Sequence, residues 1–572
     1  MPRHRLRVLF ALLAVAGLVA ALGLVAARLT TVVVPQVGGT YVEGVAGSPT
    51  YLNPILCQYN QLDQDLVSLI FNGLTTTDAQ GVVIPDLAER WEISSDGLRY
   101  TFHLRQDVHW HDGAPFTSTD VRFTIQAMQD PGYQGPPELA SLWRSVQVET
   151  PDDHTVVFVL PEPYAPFLEY TSQRLIPSHI LAIVAPHLLP TSQFNAEPVG
   201  TGPYRVVETT ARSVILEANR NYHGPRPRLA RIQFLFYPDQ SSLFAAYRRG
   251  EVAGIARVLP ENLQEVRRDR RLNLYTAPYS GYTMVFLNLQ RSFFQDPVVR
   301  RALWQAIDRQ GLIDRHLGGQ GLVVHGPILP HSWAYDPELP RVEYNPQAAA
   351  QALEAAGWRD EDGDGVRAKG DVRLEFALVT NNDDPVRAQM IQDIARQWAA
   401  IGVRAQTSAI SMTELVRDRL YRRDYDALLY GWELPAADPD PYALWHSSQA
   451  GEDGQNYVGY RDPTSDSLLE AARRTTDRLQ RAALYRDFQR RFVAEVPALL
   501  LYQPVYNYAV DAQVKGVQIA PLFSTADRFR TVADWYIATR RVLLSDAAAA
   551  QRRSQPPTPT PARGPRAGAA DH

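Results

Sequence analysis

The sequence predicts an α/β protein, because strand-like and helix-like patterns are mixed along most of its 572 residues. β-branched or aromatic residues at alternate positions predict strands at 100–104, 155–160 and 231–237. Helical patterns occupy 297–309, 348–356 and 466–495. Pro297 suits a first helical turn, and Gly357 follows the second helix as a C-terminal glycine would. Strand and helix patches separated by turn-rich joints predict several α/β subdomains.

The N-terminal segment predicts export. An arginine cluster at 3–7 precedes the uncharged run 8–27, whose 20 residues would span about 30 Å as a helix, the thickness of a bilayer core. The arginines favour a cytoplasmic N-terminus, so that everything after Arg28 is exported. The run exceeds the about 7–15 apolar residues typical of a cleaved signal peptide, which favours a retained anchor. Cleavage after Val25-Ala26-Ala27 is the alternative.

The charge balance and the cysteine count exclude several classes. Without residues 1–28 and 546–572, 49 basic and 60 acidic residues remain, a net charge of −11. A body this acidic repels phosphate backbones, so we expect no nucleic-acid partner. The single cysteine, Cys57, cannot form an intrachain disulfide, and it lies too far from the apolar run for a lipidated N-terminus. Residues 546–572 are rich in Ala, Pro, Thr and Arg, a composition typical of a disordered tail.

Short motifs with a fixed order and spacing run through the body. They are PDLAERW (85–91), SDG (95–97), YTFHLR (100–105), WHDG (110–113), PFT (115–117), DV (120–121), PVGTGPY (198–204), DPVVRRAL (296–303), AIDR (306–309) and AGW (356–358). Physically, they are mostly turn and packing signals, such as Asp96-Gly97, and they indicate architecture rather than chemistry. In these motifs the chain resembles family 5 of the extracellular solute-binding proteins of ABC importers, the peptide and nickel class, from about Gly39 to about Trp535.

This resemblance implies a bilobed, periplasmic-binding-protein-like α/β fold of type II, in the large peptide-binding class, with an extra subdomain in the first lobe. The chain would cross between the lobes near 277–282 and again near 501–506, and two such crossings permit closure around a ligand. The implied organisation is an N-terminal signal or anchor (1–35), lobe I (36–65, 195–279 and 503–545), its extra subdomain (66–194), lobe II (280–502) and the tail (546–572).

The resemblance also implies how a ligand is held. In this family, backbone near the mature N-terminus and backbone from a second-lobe strand flank an extended ligand, in a manner similar to strand addition. The matching segments and side chains here are 47–54 with Tyr51 and Asn53, 425–432 with Gly431 and Trp432, and, outside them, Tyr282 and Tyr442. For Trp432 and Tyr442, packing in a core is the alternative interpretation, since large aromatic side chains bury well anywhere.

One position departs from the pattern of the peptide-binding members. Where those proteins hold the ligand's α-ammonium with an aspartate, four residues before the proline of an acidic-Pro pair, this chain has Pro435. Glu433 or Asp438 could take over that role, and we favour Glu433 because Asp438 is placed to cap the turn that follows it. If neither does, the ligand lacks a free N-terminus and is a blocked peptide, an oligosaccharide or a metal chelate.

A metal site and a catalytic site are both weakly indicated. Asp360, Asp362, Asp364 and Asp371 match the ligand spacing of a calcium loop, with Gly365 at the position of the sharp turn. Asp371 is shorter than the usual Glu, and the following residues alternate like a strand, so we expect a simple Asp-Gly turn without Ca²⁺. No Ser-His-Asp set or paired-carboxylate motif has a local context that indicates hydrolysis. We expect no cofactor and no catalytic residue.

The sequence therefore predicts an exported receptor, held at the extracytoplasmic face of the membrane by its N-terminal helix. It would be a monomer that captures a solute by lobe closure and delivers it to the transmembrane subunits of an ABC permease, with peptides as the first expectation. A binder of a non-peptide solute is the nearest alternative. An exported enzyme with the same shell would turn over a bound peptide, and an exported sensor would keep its phenotype after deletion of the permease.

Overall fold

The computed structural model describes residues 13–18 and 30–543. Residues 13–18 are helical and exposed. Across these described stretches, no helix combines the length and apolarity needed to cross a bilayer. Residues 1–12 and 19–29 of the predicted anchor and the predicted tail at 546–572 lie outside the described residues.

The described chain alternates strands and helices, as an α/β protein should. The strands are β1 (Thr31–Pro35), β2 (Thr40–Ala46), β3 (Thr75–Thr77), β4 (Val83–Pro85), β5 (Ala88–Ile93), β6 (Arg99–Leu104), β7 (Gln147–Asp152), β8 (Thr155–Val159), β9 (Tyr204–Thr209), β10 (Ser213–Ala218), β11 (Arg231–Tyr237), β12 (Gly254–Ile255), β13 (Leu272–Pro278), β14 (Gly281–Leu287), β15 (Gly321–Val323), β16 (Ala368–Lys369), β17 (Val372–Arg373), β18 (Glu375–Asn381), β19 (Arg404–Ile410), β20 (Ala427–Glu433), β21 (Ala498–Asp511) and β22 (Thr539–Leu543). The α-helices are α1 (Gln61–Ile70), α2 (Ser118–Gln129), α3 (Pro137–Arg144), α4 (Phe167–Tyr170), α5 (Ser178–Leu181), α6 (Gln240–Arg248), α7 (Leu263–Arg268), α8 (Pro297–Gln305), α9 (Arg309–Leu317), α10 (Pro346–Ala355), α11 (Pro385–Ala399), α12 (Tyr442–Trp445), α13 (Pro463–Arg474) and α14 (Arg478–Glu495).

The strand β21 connects the two halves of the molecule. Among the described strands, one continuous sheet has the order β19-β18-β20-β14-β21-β12-β2-β11-β10-β9, with β13 and β15 also paired to β21. The first residues of β21 pair with β14, as in Phe286↔Ala498, whereas its last residues pair with β13, as in Leu272↔Asp511. At 14 residues β21 is long enough to serve both partners in succession. It therefore carries the chain from one lobe into the other.

The buried side chains form two large cores, which makes the molecule bilobed. One core takes its buried residues from 282–502, and the other takes them from 41–277 and from 506–535. The cores divide between Ala277 and Tyr282 and again between Tyr502 and Tyr506. The domain limits given above stay predictions. The two predicted limits between the lobes, 279/280 and 502/503, fall within the gaps between the two cores. Below, the first lobe denotes the part built on the 41–277 and 506–535 core, and the second lobe the part built on 282–502.

Three smaller sheets belong to the first lobe or its ends, and one of them is the antiparallel pair β3–β4. A four-stranded sheet, β5-β6-β8-β7, contributes Phe102 and Phe158 to the first-lobe core, where it packs with α2 and α3. Separately, β1 pairs antiparallel with β22 in a two-stranded ribbon whose register runs from Thr31↔Leu543 to Pro35↔Thr539. This ribbon brings the two ends of the described chain together.

The predicted strands are confirmed within one residue at their ends, while one predicted helix is too long and another is broken in two. The helix predicted at 297–309 ends at Gln305, and Asp308, whose side chain accepts the Gly311 N–H, begins the next helix, α9. The 466–495 pattern divides at Asp477, whose side chain accepts the Gln480 N–H in the same way. Gly357 follows α10 with a φ of +87°, as a C-terminal glycine should.

Candidate functional site

A cleft of about 1150 Å³ lies between the two cores, larger than most small-molecule pockets. The first lobe lines it with residues 257–261 and with Phe523 and Thr525. The second lobe lines it chiefly with 381–387 and 430–441. The two crossings, 279–283 and 502–507, form its back. Both lobes contribute to the lining, so closing or opening the lobes must change the shape of the cleft.

The end of β20 presents an open strand edge to this cleft. On one side, β20 pairs with β14 along its whole length, from Leu287↔Ala427 to Gly281↔Glu433. On the other side, the register with β18 contains Leu378↔Ala427 and Val379↔Leu428 only. The stretch from Tyr430 to Glu433 therefore has a strand partner on one edge among the described residues. The backbone groups of the other edge are available to an extended ligand, as strand addition requires.

Arg387 lies against this open edge, because α11 begins beside it. Asp384 caps α11 by accepting the N–H groups of Val386 and Arg387, and its carboxylate lies 3.3 Å from Nε of Arg387. The guanidinium also lies 5.0 Å from the centre of the Tyr430 ring. A Cβ added at Gly431 would come within 2.6 Å of Nη2 of Arg387. Gly431 thus leaves the room in which this cation approaches the strand.

The carboxylate nearest to the strand end is Glu433, the last residue of β20. Its side chain is exposed in the cleft and accepts a hydrogen bond from the Tyr279 hydroxyl. Burial and the Glu433 charge raise the pKa of Tyr279, so the phenol stays protonated and remains a donor. Arg257 lines the cleft from the first lobe. The cleft lining therefore offers both signs of charge, two arginines and several carboxylates.

The predicted aromatic residues at the crossing take different places. Trp432 is half-buried in the cleft wall and packs on Phe286 and Tyr457, with ring centres 6.3 and 5.5 Å away. Tyr282, its partner in the register, is only 1% exposed and belongs to the second-lobe core while touching the cleft. Trp432 offers an aromatic surface to a ligand, whereas Tyr282 supports the wall behind it.

Tyr51 and Asn53 are not among the residues that line this cleft, and their contact with a ligand stays a prediction. The Asp63 carboxylate accepts the N–H groups of Thr50 and Tyr51, both at 2.7 Å. Asn53 is fully buried, and its amide donates to Asn195 at 3.2 Å. Because internal partners already occupy these groups, the 47–54 segment is fastened to the first lobe. Burial raises the pKa of Asp63 to about 6.

The side chains of Asp438 and Tyr442 also have interaction partners within the protein. Both carboxylate oxygens of Asp438 bind the guanidinium of Arg481, whose side chain is 6% exposed. Tyr442 lies between the His446 ring, 4.0 Å away, and the Arg473 guanidinium, 3.6 Å from its centre. Asp438 touches the cleft, but its charge is already matched, and Tyr442 lies outside the cleft lining. Of the two predicted ammonium partners, Glu433 is the one whose carboxylate faces the cavity.

The aspartate-rich loop brings three of its four predicted ligands together. Carboxylate oxygens of Asp360, Asp362 and Asp364 lie within 4.8 Å of one another, and Asp371 is not part of this group. Arg373 pairs with Asp362 at 3.2 Å and also with Asp364. These carboxylates also accept backbone N–H groups inside the loop. The loop is followed by β17 and β18, so the predicted Asp-Gly turn leading into a strand describes it well.

Several cleft residues escaped the sequence analysis. They are Arg257, Tyr279, His331, Asn381 and Arg387. Arg387 follows a recognisable helix start, Asp384-Pro385, yet nothing local indicates that this helix begins against Gly431, 44 residues later. His331 is partly enclosed by Phe523 and Gln503, and burial lowers the pKa of its imidazole, which keeps the ring neutral. Only the tertiary fold gathers these side chains.

Three comparisons with known proteins agree with this geometry. Residues 82–454 match the family model described as bacterial extracellular solute-binding proteins, family 5 middle. The chain is 31% identical over 495 residues to the oligopeptide-binding protein AppA of Bacillus subtilis, covering 85% of this chain and 90% of that protein. It is 29% identical over 510 residues to the dipeptide-binding protein of Escherichia coli, covering 84% and 92%.

Solved structures with a similar fold include AppA of B. subtilis in complex with a nonapeptide. That structure aligns with a TM-score of 0.70 at 29% identity, covering 88% of this chain and all of the other. NikZ of Campylobacter jejuni in complex with Ni(L-His) aligns with a TM-score of 0.72 at 27% identity, covering 87% and 99%. Similar shells therefore hold a peptide in one case and a metal chelate in the other.

Proposed function

The chain belongs to the bacterial extracellular solute-binding proteins of family 5, and from this premise we propose that it captures peptides and delivers them to an ABC permease. Relatives named as oligopeptide-binding and dipeptide-binding proteins cover most of the chain and support this ligand class. The proposed mechanism is closure of the two lobes around the ligand, with hinges near 279–280 and 502–503. No bond is made or broken in it, so no catalytic residue is needed.

One observation carries the proposal: the open edge of β20 ends between a cation and a carboxylate. A short peptide carries the three complementary groups: a backbone that can pair with a strand edge, a carboxylate for the cation and an ammonium group for the carboxylate. In our proposal the ligand backbone pairs with 430–433, its carboxylate faces Arg387 and its ammonium faces Glu433. Arg–carboxylate contacts are among the stronger hydrogen bonds in proteins, so this end fixes the direction of the peptide.

The place of Pro435 favours a second candidate, a ligand without a free ammonium group. The similarity to a protein crystallised with Ni(L-His) supports a metal chelate as one such solute. The neutral His331 in the cleft wall and the carboxylates of Asp383 and Glu433 are groups that a chelate could contact. Peptides remain the first proposal, because the open strand edge has no function in binding a compact chelate.

Calorimetry on the full chain tests the ligand class. Trialanine and its N-acetylated form serve as probes, and native mass spectrometry of the protein as purified identifies any co-purifying solute. We expect Glu433→Gln to weaken trialanine binding by about 1.5–3 kcal/mol, roughly ten- to hundredfold, because the ligand ammonium loses a hydrogen bond to a charged group. The exposed Glu208, on the outermost strand β9, supplies the matched control Glu208→Gln. Equal binding of both probes, unchanged by Glu433→Gln, would exclude an ammonium site.

Anchoring and partners extend the proposal beyond the described residues. We propose that residues 1–27 stay on the mature chain and hold the receptor at the extracytoplasmic face of the membrane. The receptor then acts as a monomer and meets the transmembrane subunits of its permease there. The length of the apolar run supports retention, since about 20 residues span a bilayer core.

A further inference from the structure

A side chain of the first lobe holds the cleft-lining loop of the second. Glu169 lies in α4, whose Phe167 is buried in the first-lobe core. Its two carboxylate oxygens accept the N–H groups of Ala437 and Asp438, in the loop that follows Glu433. This loop, 434–441, contains three prolines and so has few N–H donors of its own. Glu169 takes two of them, and it does so across the boundary between the lobes.

Neighbouring contacts join the same two surfaces. The Ala165 N–H donates to the carbonyl of Arg473 at 2.7 Å. The Arg473 guanidinium lies 5.4 Å from the centre of the Tyr164 ring and pairs with Asp440 at 2.7 Å. The end of the cleft near Glu433 is therefore closed by first-lobe residues 164–169 against the second-lobe loop. These contacts must separate when the lobes open.

The charges around Glu169 do not balance. Asp438 pairs with Arg481 and Asp440 pairs with Arg473, while Glu169 forms no ion pair with a cation among the described residues. The titratable and charged groups facing this cluster are Tyr164 and Tyr170 from the first lobe, Asp438 and Asp440 from the loop, Arg473 from α13, and Arg481 and Tyr485 from α14. Burial, followed by the Asp438 charge, raises the pKa of Glu169 to about 8. Arg481 keeps Asp438 the more ionised partner of the two, so the proton belongs on Glu169.

We propose that Glu169 is a positioning residue for ligand capture: it fastens the loop after Glu433 when the cleft closes, and it takes up a proton as it does so. Both N–H contacts favour the ionised carboxylate and oppose proton uptake, but burial and the Asp438 charge outweigh them. In the open protein Glu169 faces water and has the usual pKa of a glutamate. The closed state thus binds the proton more tightly. The stabilisation of the closed state by this proton is complete below about pH 4.5, and it is lost as the pH rises through about 8.

Hydrogen exchange on the full chain as purified, with any co-purifying solute still bound, tests the contact directly. We expect the amides of Ala437 and Asp438 to be protected at pH 6.5 and less protected at pH 8.5, after correction for the intrinsic exchange rates. Glu169→Ala removes the protection, and Glu169→Asp, which is one methylene shorter, reduces it at both pH values. Equal protection in the wild type and in Glu169→Ala would overturn the proposal, whichever solute the protein carries.

Calorimetry with trialanine tests the coupling to capture, and this arm rests on the proposed function. From pH 6.5 to 8.5 we expect the wild-type affinity to fall on the order of tenfold, with proton uptake visible as a dependence on buffer ionisation enthalpy. Glu169→Gln should bind without this pH dependence, while Glu162→Gln, at an exposed position of the same subdomain, should keep it. If the trialanine affinity of Glu169→Gln fell with pH as steeply as that of the wild type, the coupling of capture to proton uptake would be refuted. Absence of trialanine binding at both pH values would instead count against peptides, leaving the exchange experiment to decide on the contact.

Discussion

Replacing Asp438 by asparagine should destabilise the fold rather than abolish a ligand contact. The substitution leaves the Arg481 guanidinium, 6% exposed, without its counter-charge. Arg481 would keep its bonds to the Ala472 carbonyl at 3.0 Å and to the Tyr485 hydroxyl at 2.9 Å. Removing one partner of a buried ion pair costs about 3–5 kcal/mol. For a lobe of about 200 residues, this corresponds to a fall in Tm of roughly 6–20 °C.

Differential scanning calorimetry of the full chain measures this effect. Glu433→Gln makes the same carboxylate-to-amide change five residues earlier, at an exposed position, and should leave the Tm within about 1–2 °C of the wild type. The double variant Asp438→Leu, Arg481→Met removes both charges and should recover most of the loss. An Asp438→Asn variant that melts like the wild type but binds trialanine a hundredfold more weakly would refute this reasoning and make Asp438 the ammonium site.

Three further predictions concern other parts of the chain. Millimolar Ca²⁺ should leave the Tm unchanged in the wild type and in Asp362→Ala, because Arg373 already pairs with two of the three clustered carboxylates; a calcium-dependent rise lost in the variant would contradict this. N-terminal sequencing of the membrane fraction should find residues 1–27 on the mature chain, whereas a chain beginning near residue 28 would show cleavage. Arg528→Met should cost about 3–5 kcal/mol in urea unfolding and Glu43→Gln clearly less, because Arg528 is fully buried and pairs with two carboxylates; equal losses would argue against a shared cluster.

Local signals in the sequence predicted the elements but not the cleft. Alternating apolar residues mark β6, β8 and β11, and Gly357 marks the end of α10, since each of these signals acts within a few residues. The 47–54 segment was placed by resemblance and stays a predicted ligand contact, and the Asp63 carboxylate on a neighbouring helix holds its backbone. Arg387 meets Gly431, and Glu169 meets Ala437, across gaps of tens to hundreds of residues. Such long-range contacts depend on how the lobes pack, and no local sequence pattern encodes that packing.

The β1–β22 ribbon and the first-lobe core determine the order in which the lobes can fold as the chain is synthesised from its N-terminus. The second-lobe core draws on one continuous stretch, 282–502, and can form as soon as that stretch is available. The first-lobe core needs residues 506–535, and β1 must wait for its partner strand some 500 residues later. Apolar side chains of 41–277 therefore stay partly uncovered until synthesis is nearly finished. The lobe that begins first is the lobe completed last, and the interval between them is when this receptor most needs protection from aggregation.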